Sequence, residues 1–188
     1  MNDNPIILAF SGGLDTSFCV PWLKETYNRP VVTATVNTGG LDDTTTAALA
    51  ERAGKLGAID HVQIEARDKF FDEVLKFLIM GNVRRGQLYP LCVGAERGIQ
   101  AAYLAMLATE RGATTVAHGC TAAGNDQVRF EIILKALAPE LEVLAPVRDN
   151  SFQREEQLAY LDKHDMPPPA AGSSYSINRG LWGVTIGG

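Results

Sequence analysis

Cysteine is scarce in this sequence: three residues among 188. An odd number without short metal-type spacing argues against a disulfide framework or a zinc cluster, and free thiols in a reducing cytoplasm are expected. Positive charge is not in excess either. Lys and Arg total 17 against 22 Asp and Glu, for a formal net charge of −5. That balance argues against a dedicated nucleic-acid surface. No apolar stretch approaches a membrane span. The opening Met1-Asn2-Asp3-Asn4 lacks the basic and greasy regions of a secretion signal. Internal repeats and low-complexity tracts are missing too. What remains is 46% apolar and 21% charged residues, the composition of an ordinary globular chain with one sizeable core.

Short apolar or β-branched runs lie at Ile6–Phe10, Val31–Val36, His61–Ile64, Thr115–His118 and Glu142–Ala145. They lack clean alternation, as strands covered on both faces do. Helical spacing fills the gaps at Thr44–Leu56, Phe70–Met80, Gly98–Arg111, Val128–Leu137 and Gln153–His164. Strand then helix, five times over, predicts an α/β fold: an open parallel five-stranded sheet with helices on both faces. Residues 1–166 are expected to form this domain. Residues 167–188 begin with a proline run and read as a linker leading toward something further.

The first run stops at "LAFSGGLDTS", residues 8 to 17. In an open parallel sheet, ligands gather beyond the carboxyl ends of the strands. Glycines turn backbone amides outward, a helix start adds unpaired N–H groups, and the hydroxyls of Ser11, Thr16 and Ser17 add donors. Together they suit an oxyanion, most plausibly phosphate. No Lys follows, so this is not the common nucleotide loop, and G-x-G-x-x-G fails as well. Asp15 would repel phosphate unless it faces a cation such as Mg²⁺ or caps the helix. A tight turn with an N-cap is the plainer reading. Pro21 falls inside the helix that follows, so a kink or a late helix start is expected.

A second dense stretch, "VAHGCTAAGNDQVRFE", follows the fourth strand. It should lie beside the first loop. Thr121, Asn125, Asp126 and Gln127 converge at a helix start. Asp126 is either a cap or a grip for an ammonium, and Arg129 can hold a carboxylate or phosphate by two bonds. Tyr89-Pro90 reads as a turn and Arg97 as a surface helix residue. His118 reads as a core histidine, and Cys120 as a small filler.

The first loop resembles the ATP loop of the N-type ATP pyrophosphatases, and with Leu14-Asp15-Thr16-Ser17 it is similar to that of the argininosuccinate synthase family. Gly124-Asn125-Asp126-Gln127-Val128-Arg129-Phe130-Glu131, Ala145-Pro146-Val147-Arg148 and Tyr175-Ser176-Ile177 resemble further motifs of that family. The resemblance implies an adenine nucleotide alpha hydrolase-like (Rossmann-like) sheet. It implies ATP as a substrate with Mg²⁺, and citrulline and aspartate as partners in forming argininosuccinate. By position, Ala9, Phe10, Ser11, Gly12, Gly13, Leu14, Asp15, Thr16, Ser17, Val36 and Gly119 would contact ATP. Thr121, Asn125 and Asp126 would hold aspartate. Tyr89, Asn125, Arg129, Ser176 and Thr185 would hold citrulline. Asp15, Asp126 and Arg129 are the catalytic candidates, and no protein-built metal cluster is expected.

The family pattern is not matched throughout. Val93 and Gly94 stand where a small hydroxyl pair is usual. Ala122-Ala123 replaces Gly-Lys, and Asn178-Arg179-Gly180 replaces Asp-Glu-Asn. The family also continues for about as many residues again. A homo-oligomer, a tetramer in the family, or a complementary C-terminal domain is therefore implied. The other readings are an ATP-binding module without turnover, or another ATP pyrophosphatase such as a tRNA thiolase.

Overall fold

The computed structural model describes residues 4–168 and 176–187. Five parallel strands form the central sheet: β1 (Ile6–Ala9), β2 (Val31–Asn37), β3 (Asp60–Glu65), β4 (Thr115–Ala117) and β5 (Glu142–Leu144), in the order β3-β2-β1-β4-β5. Each lies at an expected apolar run. β1 pairs with β2 from Ile6 opposite Val31 and with β4 from Ile6 opposite Thr115. The order reverses direction at β1, so the loops after β1 and β4 leave the sheet side by side.

Side chains alternate across the strands and build a core on each face. Ile6, Leu8 and Phe10 meet α1 (Leu14–Tyr27), α2 (Asp43–Lys55), α7 (Pro146–Asp149) and α8 (Arg154–Lys163). On the other face Ile7, Val32, Ala34 and Val116 meet α5 (Cys92–Glu110) and α6 (Asp126–Leu137). Both faces are covered, as the uninterrupted apolar strands require.

α1 starts directly at Leu14 and runs through Pro21 to Tyr27, so no late start occurs. The proline removes one helical hydrogen bond at a cost of about 3 kcal/mol. Aromatic packing on the same helix opposes that cost. Phe18 meets Phe152 and Tyr160 edge-on at 4.9 and 5.1 Å, and such pairs contribute about 0.5–1.5 kcal/mol each beyond burial.

The expected helix at 70–80 is instead three continuous pieces: α3 (Arg67–Phe70), a π-helical turn (Phe71–Leu75) and α4 (Lys76–Met80). α5 begins six residues earlier than its apolar spacing suggests. The terminal residues form an antiparallel hairpin of β6 (Ser176–Gly180) and β7 (Gly183–Gly187). It folds back on the domain: Leu181 N donates to Thr38 O at 3.1 Å, and a Cβ on Gly40 would lie 1.9 Å from Arg179 O.

Candidate active site

The loop after β1 is set by its base. Thr35 Oγ1, buried on β2, donates to Phe10 O at 2.6 Å. Gly12 takes φ +73°, a conformation that glycine adopts without strain, and Leu49 packs where a Cβ would stand, 2.4 Å away. Gly13 caps α1 with no side-chain cap bond. The first amides of α1 therefore lack a capping side chain, at the positive end of a 14-residue helix. Ser11 Oγ and Thr16 Oγ1 are 3.2 Å apart at the mouth of the loop. Asp15 Oδ1 accepts from Gln157 Nε2 at 2.9 Å, which fixes the carboxylate from α8.

The loop after β4 comes against this one. A Cβ on Gly119 would lie 2.9 Å from Thr16 Cγ2 and 3.1 Å from Thr16 N. Only glycine permits that approach. A cleft of about 510 Å³ opens over both loops. Ala9, Phe10, Ser11, Gly13, Asp15 and Thr16 line it on one side; Val36, Gly119, Thr121 and Asp126 complete it. Leu14 instead turns into the core, and Ser17 is fully buried, donating to Gly12 O at 3.3 Å.

Asp126 opens α6 and is gripped twice. Arg97 Nε donates to Oδ2 at 3.0 Å, and Arg129 Nη1 donates to Oδ1 at 2.6 Å. Arg97 also reaches Gln100 Oε1 at 2.9 Å and Asn178 Oδ1 at 3.2 Å. Arg97 is thus a cleft residue, not the surface residue its helical position suggested. Its side chain is only 13% exposed. Charge alone could not reveal this; a cationic residue one turn ahead of an apolar helix face was the available signal.

Asn125 forms the N-cap of α6 without a side-chain cap bond. Tyr89 lies further out, its hydroxyl accepting from Gly94 N at 3.1 Å. A Cβ on Gly94 would sit 3.4 Å from Arg129 Cζ, so Tyr89, Gly94, Arg129 and Asp126 are successive neighbours. Thr185 stands on β7 opposite Asn178. Ser176 opens β6, and its side chain lies outside the described residues.

His118 is buried, with Phe130 stacked at 5.7 Å. Burial pushes its pKa down to about 4, so it is neutral and its 4.0 Å approach to Glu131 is not an ion pair at neutral pH. Glu131 is instead bonded by Arg148. Burial pushes the Cys120 thiol up to about 11, which makes it a poor nucleophile and fits a filler role. Glu96, unremarked in the sequence, is buried in the cleft wall. Among the described residues no group of three or more His, Cys, Asp or Glu is placed to hold a metal ion. No helix there is long and apolar enough to cross a membrane.

Comparison with known proteins identifies the fold and the family. Among solved structures, a predicted subunit of a tRNA methyltransferase from Methanocaldococcus jannaschii aligns with a TM-score of 0.55 at 19% identity, over 85% of this chain and 74% of that one. It shares the fold. The argininosuccinate synthase of Dictyoglomus turgidum is 40% identical over 190 residues, covering 100% of this chain and 47% of the relative. That of Pyrobaculum aerophilum is 40% identical over 188 residues, with the same coverages. That of Lactiplantibacillus plantarum is 41% identical over 182 residues, covering 96% and 44%. The chain thus spans about half the length of the curated relatives it matches. Residues 5–167 match the family model described as the arginosuccinate synthase N-terminal HUP domain, and the chain belongs to the argininosuccinate synthase family.

Proposed function

We propose that this chain is the nucleotide-binding part of a ligase that joins citrulline and aspartate at the expense of ATP. Residues 1–166 form its ATP-binding domain, and residues 167–188 lead toward a second domain or a complementary chain. One observation carries the reading. The close approach of Gly119 to Thr16 brings the loops after β1 and β4 together over one cleft at the switch point of the sheet, which supports reading the first as a phosphate loop and the second as an amino-acid loop.

The amides at the start of α1 and the hydroxyls of Ser11 and Thr16 take the phosphates; Ala9, Phe10, Val36 and Gly119 flank the rest of the nucleotide. Magnesium fits this site as a companion of the substrate. With no protein cluster among the described residues, such a cation would draw most of its ligands from phosphates and water, which is magnesium's habit. Asp15 is the residue that would hold it, and it would supply charge neutralisation on the leaving pyrophosphate.

The ureido oxygen of citrulline attacks the α-phosphorus, pyrophosphate departs, and the aspartate amine then displaces AMP. The chain's part in the first step is placement and charge stabilisation. Arg129, with Tyr89, Asn125, Ser176 and Thr185, holds citrulline. Asp126, with Thr121 and Asn125, receives the aspartate, and Arg97 keeps the Asp126 carboxylate in position. Buried or partly buried free thiols suit a reducing cytoplasm.

The test is exchange of labelled pyrophosphate into ATP that depends on citrulline, with AMP release that depends on aspartate. Both are expected. ATP binding without exchange under any amino-acid pair would replace this reading with a nucleotide-binding module.

A further inference from the structure

Glu96 is left over by the assignments above. It lies in the second turn of α5 and is 3% exposed, yet it lines the cleft beside Arg97 and Asp126. Its Oε1 has no hydrogen-bond partner. The neighbouring guanidinium does not neutralise it directly, because Arg97 is committed to Asp126, Gln100 and Asn178. The hairpin closes over it: a Cβ on Gly180 would fall 1.4 Å from Oε1. A buried carboxyl group without a cation or a full set of donors is costly, and a fold keeps one where a ligand completes it.

Of the other polar groups that line the cleft, His118 Nε2 also has no hydrogen-bond partner, but burial pushes that imidazole down to about 4, which leaves it a weak base near neutral pH. Both oxygens of Asp126 are held by guanidiniums. His118 Nδ1 accepts from Cys120 N at 3.3 Å, and its ring stacks on Phe130. Charged groups near Glu96 are Arg97 on its own helix, Asp126 on α6 and Arg179 on β6, which share the cleft wall. Burial raises the Glu96 carboxyl to about 7; Thr38 and Arg97 oppose the rise and Asp126 adds to it. A base titrating near the working pH accepts and returns a proton most readily.

We propose that Glu96 is the base that takes a proton from the attacking amine in the second step, an inference that rests on the reading of the cleft as an argininosuccinate-forming site. The incoming amino acid arrives as an ammonium with no lone pair. One N–H bond breaks, the electron pair stays on nitrogen, and the proton passes to the Glu96 carboxylate, which lines the cleft. That pair forms the new C–N bond to the activated ureido carbon. The C–O bond to AMP then breaks with its electrons on the leaving phosphate oxygen. The joined nitrogen sheds a second proton to the departing AMP phosphate, and a guanidinium product remains. Glu96 returns its proton to water once product leaves.

The experiment is a single-turnover measurement on the full polypeptide that carries this chain. ATP and citrulline are mixed first, aspartate is added, and argininosuccinate is followed from about pH 5 to 9. The wild type should show a rate that rises through a limb near pH 7. Glu96→Gln keeps the shape and removes the base. It should slow the aspartate step about 100-fold or more and flatten the limb. A Glu96→Gln rate within a few-fold of wild type, with the same limb, overturns the proposal. If the Gln variant does not fold, Glu96→Asp carries the test: a slower step that keeps a limb supports the base, and a profile without one overturns it. Absence of citrulline-dependent pyrophosphate exchange in the wild type is a separate result, and it overturns the functional reading beneath this one.

Discussion

Asp126 shows how much a single side chain is asked to do in this cleft. Two guanidiniums on different helices converge on its two oxygens, at 3.0 and 2.6 Å. Replacing it with Asn keeps the volume and removes the charge that both cations share. Hydrogen bonds to charged groups contribute about 1.5–3 kcal/mol. A loss of about 2 kcal/mol corresponds to a roughly 30-fold rise in the KM for aspartate. Nucleotide affinity should stay near wild type, because the α1 amides are untouched. Equal losses for ATP and aspartate in a binding titration would mean that Asp126 holds the whole cleft together and has no substrate of its own. Gly119 offers the complementary test. Its φ is not in the left-handed region, so Gly119→Ala adds only a methyl group, wedged against the Thr16 backbone. Overpacking of this kind costs about 1–3 kcal/mol. Calorimetry should show nucleotide binding weakened about tenfold or more, with aspartate-side residues unchanged.

At the scale of elements, α2 does more than cover the sheet. Arg52 Nε donates to Ser17 Oγ at 2.9 Å, and its two other nitrogens donate to Pro168 O and Pro167 O at 3.2 and 3.1 Å. Ser17 in turn donates to Gly12 O. The chain leaving α8 is thereby tied to the glycine turn through one side chain. Arg52→Leu keeps the apolar stem and should cost about 1 kcal/mol of stability. It should also speed proteolysis around Lys163–Met166 and weaken nucleotide binding. Unchanged proteolysis would show that the proline carbonyls hold their place without Arg52. This link was invisible in the sequence because its partners are 35 and 116 residues away. What was legible followed from local pattern. Five apolar runs marked five strands, and the glycine turn and the Asn125-Asp126 cap marked two loops of the cleft. The misses also have physical causes. α5 starts at Cys92 behind Leu91 at φ +60°, and its first turns carry Gly94, Glu96 and Arg97, which mask helical spacing. The π-helical turn at Phe71–Leu75 adds a residue without changing composition. Arg97 and Glu96 gained meaning only when α5, α6 and the hairpin met.

At the scale of the whole molecule, His118 and Glu96 are buried titratable groups whose effects on folding oppose each other. His118 titrates at about 4 when folded against 6.5 when free. The unfolded chain takes that proton first, so the stability is fully present above pH 6.5 and is lost as pH falls toward 4. For a side chain 1% exposed, this shift corresponds to roughly 3 kcal/mol. Glu96 runs the other way. Its carboxyl titrates at about 7 when folded against 4.5 when free, so the folded chain holds the proton first. Its contribution is full below pH 4.5 and is lost as pH rises toward 7. Between pH 4.5 and 6.5 the two slopes cancel in large part. Denaturant unfolding at several pH values should separate them. Relative to wild type, His118→Asn should gain stability on acidification through this window, because only the Glu96 term remains. Glu96→Gln should lose stability over the same range, because only the His118 term remains. The difference between each variant and wild type removes the background of surface carboxylates, so parallel curves for His118→Asn and wild type would mean that the buried imidazole takes up its proton without unfolding the domain. The same pair of groups would then titrate inside the folded cleft, and the acid side of the rate profile would belong to both.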